Sequence, residues 1–403
     1  MFSTPLLAQA LTLQEAYEKA VANTSVIRTK ELDVQKAKQQ KRLAYAQVLP
    51  TLALSSSSVF RDSAQDSEVS SRFGEAYQHT AALTLTQPLF HGTSEYFNLG
   101  IAKRLPKLAS LEKAETSLQA YLLVAGEFYQ FLSLEKDLVH LKEESDILKR
   151  REDFLSSRVS IGRNKASDLL AVQSQGARVE AERERLKAAL AQSKKNLEKL
   201  VGESFDRLQD KLALKSLQVP SHWREKIANH TSLDRQALVL ENKNREIKAA
   251  QGAYLPSVDL EGNYYLDRAG VLSESKWDLS VVARWEFFSG GQTTAETAIK
   301  KLELAQEKLL LEDLQRNLTK DFEAQSQSLE AYLKSIQKGK TSLDFAKLNY
   351  QEQVKEFNQG LITSLDVLRA LEEMVQAKRQ LDQDIFAAKL NWIQLKTLAA
   401  DVP

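Results

Sequence analysis

The chain has 403 residues, with Lys+Arg 55 against Asp+Glu 54, and that balance excludes nucleic acid as the main partner because phosphate binding needs a basic excess. There are no cysteines, which excludes disulfides, thiolate metal sites, cysteine nucleophiles and a lipid anchor on an N-terminal cysteine. Glycine (14) and proline (7) are scarce and 27% of residues are charged, a composition of long helices or coiled coil. No uncharged apolar run reaches the roughly 18 residues of a membrane-spanning helix, so a bilayer could be crossed only by a closed β-barrel.

In chain order, residues 1–10 read MFSTPLLAQA, and Ala8-Gln9-Ala10 fits a signal-peptidase site, so this stretch is expected to be a signal-peptide remnant. The alternative is a frayed leader with a chance match. A helix is expected over 11–48, with Leu13, Ala16, Ala20, Ile27 and Val34 on one stripe. A hairpin follows at 50–90. Its first arm, 51–60, is serine-rich, and its second, 80–89, alternates with Leu83 and Leu85 on one face. Residues 93–156 read as one helix of roughly 60 residues, about 90 Å at 1.5 Å per residue. Pro106 predicts a kink or a late start there. A tip near 157–166 leads to a helix over 166–201, closed by Gly202.

The second half takes the same order. Helices are expected over 233–253, 292–357 and 364–398, with a hairpin at 256–288 and a tip near 357–364. The strands here are sharper. Val258, Leu260, Gly262, Tyr264 and Leu266 alternate with Asp259, Glu261, Asn263, Tyr265 and Asp267. Over 278–287, Leu279, Val281, Ala283, Trp285 and Phe287 share the apolar face. The dyad pattern suits strands with lipid on one side and water on the other, with Val258, Leu260, Leu279, Val281 and Trp285 facing lipid. Aromatics at the strand ends suit an interfacial girdle. A soluble hairpin packed on helices is the competing reading.

The two halves thus form tandem structural repeats, 11–217 and 218–403. Phe90 and Gly92 match Phe288 and Gly290, and Gly162, Asp168 and Leu170 match Gly360, Asp366 and Leu368, all at an offset of 198. Leu49-Pro50 matches Leu255-Pro256 at an offset of 206, which puts eight additional residues in the first hairpin. Four strands cannot close a membrane barrel, which begins near eight, so an obligate oligomer is implied: two copies would supply eight strands and three would supply twelve.

These features resemble the outer-membrane efflux protein family whose type member is TolC. The carriers are LTLQEAYEKAVANTSVI (11–27), the Leu-Pro pairs, TQPLFHGT (86–93) with WEFFSGGQT (285–293), and the tip segments RVSIGRNKASDLLAVQ (158–173) and EFNQGLITSLDVLRA (356–370). The resemblance covers nearly the whole chain. It implies a mainly α fold with a small β part: a long α-helical barrel continuing into an outer-membrane β-barrel built by a homotrimer. It implies an exit duct of a tripartite efflux or type I secretion system. The partners implied are outer-membrane lipid, a periplasmic adaptor (membrane fusion) protein and an inner-membrane RND or ABC transporter. The alternative is a soluble periplasmic coiled-coil scaffold or adaptor.

No catalytic residue, cofactor or metal is expected. Gly339-Lys340-Thr341 lacks the earlier glycine of a phosphate loop, and the five histidines show no ligand spacing. The resemblance places Asp366 at the periplasmic entrance, with Arg369 where the family has a second acid. A ring of Asp366 carboxylates would attract cations, and its members would raise one another's pKa. Alternatively, Asp366 only caps a helix. Asp168 falls in the family's closing latch, but the latch's tyrosine and arginine are Phe357 and Ile362 here. Arg163 and Lys165 are the candidate substitutes. Gly162, Arg163, Gly360 and Leu361 mark the tips where the resemblance implies adaptor docking.

Overall fold

The computed structural model describes residues 10–60, 77–269 and 272–400. The remnant expected at 1–10 therefore lies almost wholly outside the described residues, as does the turn of the first hairpin. The chain is mainly helical and falls into two compact units, each drawing segments from both halves of the sequence. None of the described helices is long and apolar enough to cross a membrane.

The first unit comprises the described residues among Met1–Thr29, Ala114–Thr231 and Gln315–Pro403. Its chain start corrects the expectation of a single helix from residue 11. Leu11–Thr12 is a short strand, β1, and α1 spans Leu13–Asn23. Thr12 caps α1: the Thr12 amide donates to the Glu15 carboxylate at 2.8 Å, and the Glu15 amide donates to the Thr12 hydroxyl at 3.3 Å. Thr24 adopts extended backbone and ends α1, and α2 (Ser25–Ala46) follows. The long helices of the chain are α3 (Ser94–Ser160), α4 (Ala166–Val201), α7 (Gln292–Gln359) and α8 (Ser364–Leu398), of which residues 94–113 of α3 and 292–314 of α7 belong to the second unit. Pro106 does not delay α3, which begins well before it.

Buried side chains recur at multiples of seven residues along these helices: Leu141, Leu148 and Leu155 on α3, Leu329, Ile336 and Leu343 on α7, and Val367, Met374, Ala388 and Leu395 on α8, where Leu381 between the middle pair is partly buried. A seven-residue period is the seam of helices packed side by side as a coiled coil. One apolar cluster is built on Phe128, Tyr129, Leu197 and Ile393, with Tyr17 edge-on to Tyr121 at 5.0 Å between ring centroids. A second runs from Leu141 to Phe357 and Val367. Beside the first, β1 pairs in parallel with β4 (Leu208–Gln209). Short helical turns follow, including α5 (His222–Lys226), whose Trp223 is buried.

The second unit comprises Lys30–Lys113 and Ser232–Leu314. It holds an antiparallel four-stranded sheet in the order β2 (Thr51–Phe60), β3 (Tyr77–His91), β5 (Ser257–Asp267), β6 (Trp277–Arg284). The helix α6 (Thr231–Gln251) leads into β5. At the junctions Gly92 and Gly252 meet backbone to backbone. A Cβ on Gly92 would lie 1.9 Å from the Gly252 carbonyl oxygen, and Gly92 has φ +63°. Only glycine meets both demands. β6 stops at Arg284, earlier than expected, so Trp285 belongs to the following loop. Its indole N–H donates to the Tyr254 carbonyl at 3.1 Å. The aromatic on the apolar face of β6 is Trp277, at its start.

Candidate functional site: helical tips and a two-faced sheet

Both tips end their helices in the same way. Arg163 N–H donates to Arg158 C=O at 2.8 Å and Gly162 N–H to Val159 C=O at 3.0 Å. At the other tip Leu361 N–H donates to Glu356 C=O at 3.0 Å and Gly360 N–H to Phe357 C=O at 3.0 Å. This is the Schellman pairing, which needs a left-handed residue; Gly162 (φ +73°) and Gly360 (φ +79°) supply it. Nothing lies within 4 Å of where a side chain on either glycine would sit, and Arg163 and Leu361 are exposed.

The next helices start differently. Thr363 caps α8, and both its amide (2.9 Å) and its hydroxyl (2.6 Å) donate to the Asp366 carboxylate. These bonds, the hydroxyl first, hold the Asp366 carboxyl below the ordinary aspartate range, with a smaller contribution from exposed Arg369. Asp366 thus caps its helix in the protomer. Lys165 occupies the same position before α4 and offers no cap, so Asp168 receives only a long 3.4 Å bond from Asn164. Neither Arg163 nor Lys165 forms an ion pair with Asp168 among the described residues.

Phe357 and Ile362, at the absent latch positions, belong to the second apolar cluster. Phe357 is buried, with the Arg151 guanidinium 4.5 Å from its ring centroid. Arg151 also donates to the Ser364 hydroxyl at 3.4 Å, tying α3 to the start of α8. Burial lowers the Arg151 pKa. Arg151 was not singled out from sequence. The available signal was its spacing: Glu144, Arg151 and Arg158 each follow a buried leucine of the α3 seam by three residues.

In the sheet, the register aligns Leu54 with Leu83, Leu83 with Tyr264 and Tyr264 with Trp277; Leu260 lies opposite Val281, and Val258 opposite Ala283. This face is apolar and open: Leu52, Leu54, Trp277, Leu279 and Val281 are each 61–70% exposed. The opposite face is polar. Thr84 donates to Asn263 (2.8 Å), and Asn263 (2.9 Å) and Arg268 (3.0 Å) donate to Asp278. His91 pairs with Asp259 at 2.9 Å. The outer strands β2 and β6 each leave one edge unpaired within the sheet.

The chain thus carries long heptad-packed helices and a small sheet with one exposed apolar face. The family model "Outer membrane efflux protein" matches residues 16–203 and 224–400, and the chain belongs to that family. It is 22% identical over 331 residues to the outer membrane protein TolC of Vibrio cholerae serotype O1, covering 79% of this chain and 75% of that protein. It is 22% identical over 411 residues to the proteases secretion protein PrtF of Dickeya chrysanthemi, covering 96% and 87%. The fold matches solved CusC with TM-score 0.86 at 16% identity, covering 99% of this chain and 98% of that one. The chain is an outer-membrane exit duct for efflux or type I secretion and extends into the periplasm.

Proposed function

We propose that three copies close one twelve-stranded barrel through the free edges of β2 and β6, and that the resulting passive duct works without a catalytic step. The observation that carries this reading is the open four-stranded sheet. Four strands are too few for a membrane barrel, and the exposed apolar face needs lipid. Val258, Leu260, Leu279 and Val281 then face lipid, and the Thr84–Asn263–Asp278 ladder faces water.

In the first unit, Asp366, Arg369 and Asp168 form the periplasmic entrance. The tips at Gly162, Arg163, Gly360 and Leu361 dock a periplasmic adaptor that recruits an inner-membrane RND or ABC transporter. Two exposed apolar residues, Ile161 (64% exposed) and Leu361 (69%), support a docking role for the tips.

Single-channel conductance of the detergent-purified protein in planar bilayers tests the reading. A discrete, ion-selective conductance from a trimer is expected. A folded preparation that stays monomeric, or that inserts without any discrete conductance, would overturn it.

A further inference from the structure

Within the second unit, all four strands meet helices at one end of the sheet. The segment after α2 enters β2 at Thr51, β3 leaves toward α3 at His91, β5 begins at Ser257 after α6, and β6 ends at Arg284 before α7. The helices lead into the periplasm, so this is the periplasmic end of the sheet. The helix turns nearest to it, residues 36–46, 94–107, 241–251 and 292–301, carry twelve Lys and Arg against four Glu, in a chain whose total is 55 against 54. The acids there are already engaged. Glu241 pairs with Arg104, and Glu246 with Lys243 and Lys300. Glu95 accepts from the His91 amide, and Glu296 from the Gln292 side chain. Lys41, Arg42, Lys103 and Lys248 form no ion pair among the described residues. A positive excess confined to one band is the footprint of an anionic surface.

Aromatic and aliphatic side chains share the band. Lys103 Nζ lies 5.8 Å from the ring centroid of Tyr45, in the last turn of α2. Lys248 Nζ lies 5.6 Å from that of Phe97, which stands edge-on to Tyr96 at 5.5 Å. Tyr96 is 68% exposed, and Leu49, between α2 and β2, is 57% exposed. Such side chains are costly against bulk water on every side. The boundary of a bilayer, apolar above and charged below, suits both them and the cations. The band also continues the exposed apolar face of the sheet. A headgroup layer is roughly 5–8 Å deep. Lys248 lies in the last turn of α6 and Arg42 one turn before the end of α2, so their charged tips reach that layer while their stems lie along apolar surface.

We propose that this band binds anionic phospholipid headgroups of the periplasmic leaflet, with Lys41, Arg42, Lys103 and Lys248 holding phosphate oxygens and the neighbouring rings setting the depth. The proposal rests on the duct reading for lipid against the sheet and adds which lipid it selects. The full chain is reconstituted into phosphatidylcholine vesicles that carry a trace of spin-labelled phosphatidylglycerol or spin-labelled phosphatidylcholine, and the fraction of label held at the protein is read by electron paramagnetic resonance. Phosphatidylglycerol should associate about threefold more strongly at low salt, and the preference should vanish near 1 M salt, where the screening length is about 3 Å. Joint Lys41→Gln, Arg42→Gln, Lys103→Gln and Lys248→Gln should abolish the preference and leave conductance in place. Removing as much charge elsewhere on α7, by Lys320→Gln, Lys334→Gln, Lys338→Gln and Lys340→Gln, should leave the preference intact. Equal association of the two lipids with conducting wild-type protein overturns the proposal and leaves the duct reading standing. A preference that survives the four substitutions overturns it too, and so does one that persists in wild type at 1 M salt, a measurement that needs no variant. Wild-type protein that stays monomeric, or inserts without conductance, overturns both readings.

Discussion

Asp168 and Asp366 hold the same position in their helices, yet their partners differ because residue 165 is lysine where residue 363 is threonine. Asp366 is held below the ordinary range by Thr363. Its charged form therefore supports the cap above the unfolded value, about 4, and that support is lost as pH falls through the depressed folded value. A ring of three such carboxylates would push the other way. Thr363→Val removes the hydroxyl and should raise the Asp366 pKa. Reversal potentials between about pH 3 and 6 should then lose cation preference at a higher pH than in wild type. Lys389 carries a different kind of weight. It is buried and donates to Asp210 at 2.5 Å, while Tyr129 donates to the same carboxylate at 3.3 Å. Lys389→Met removes the charged partner and leaves Asp210 with the Tyr129 hydroxyl and the Leu212 amide, and should cost about 1.5–3 kcal/mol, read as a lower denaturant midpoint.

Among the elements, the tips invite a direct repair. Lys165→Thr would give α4 the cap that α8 already has, worth about 1 kcal/mol locally, and should slow proteolysis between residues 158 and 168. Where the period is long, the elements were legible from sequence. Ser257–Asp267 alternates strictly and is a strand over that range, and α8 spans the range expected from its glycine-marked tip and its match to the first half. What escaped was short or non-local. The two-residue pairing of β1 with β4 has no period to detect. The break at Thr24 interrupts a run that is helix-prone on both sides. Trp285 continued the alternation of β6 on paper, but the ladder stops at Arg284. The contact of Arg151 with Phe357 joins residues far apart in the chain, and only the misplaced charge in a leucine seam pointed to it.

For the whole molecule, the two faces of the sheet make a paired prediction. Val281 and Ser280 are neighbours in β6 but lie on opposite faces. Val281→Lys puts a charge on the lipid side, at about 2–4 kcal/mol near the bilayer midplane, and should abolish stable membrane insertion. Ser280→Lys should insert normally and shift only the ion selectivity. Membrane fractionation with conductance recording separates the two. The unpaired edges of β2 and β6 carry a further consequence, for inheritance. In the proposed ring of three, every barrel needs every member. Co-expressing equal amounts of wild-type chain and a chain that joins the ring but cannot complete it would leave only about one barrel in eight wholly wild type, since each ring samples three chains independently. Such an allele would behave as dominant, silencing most of the sound protein made beside it.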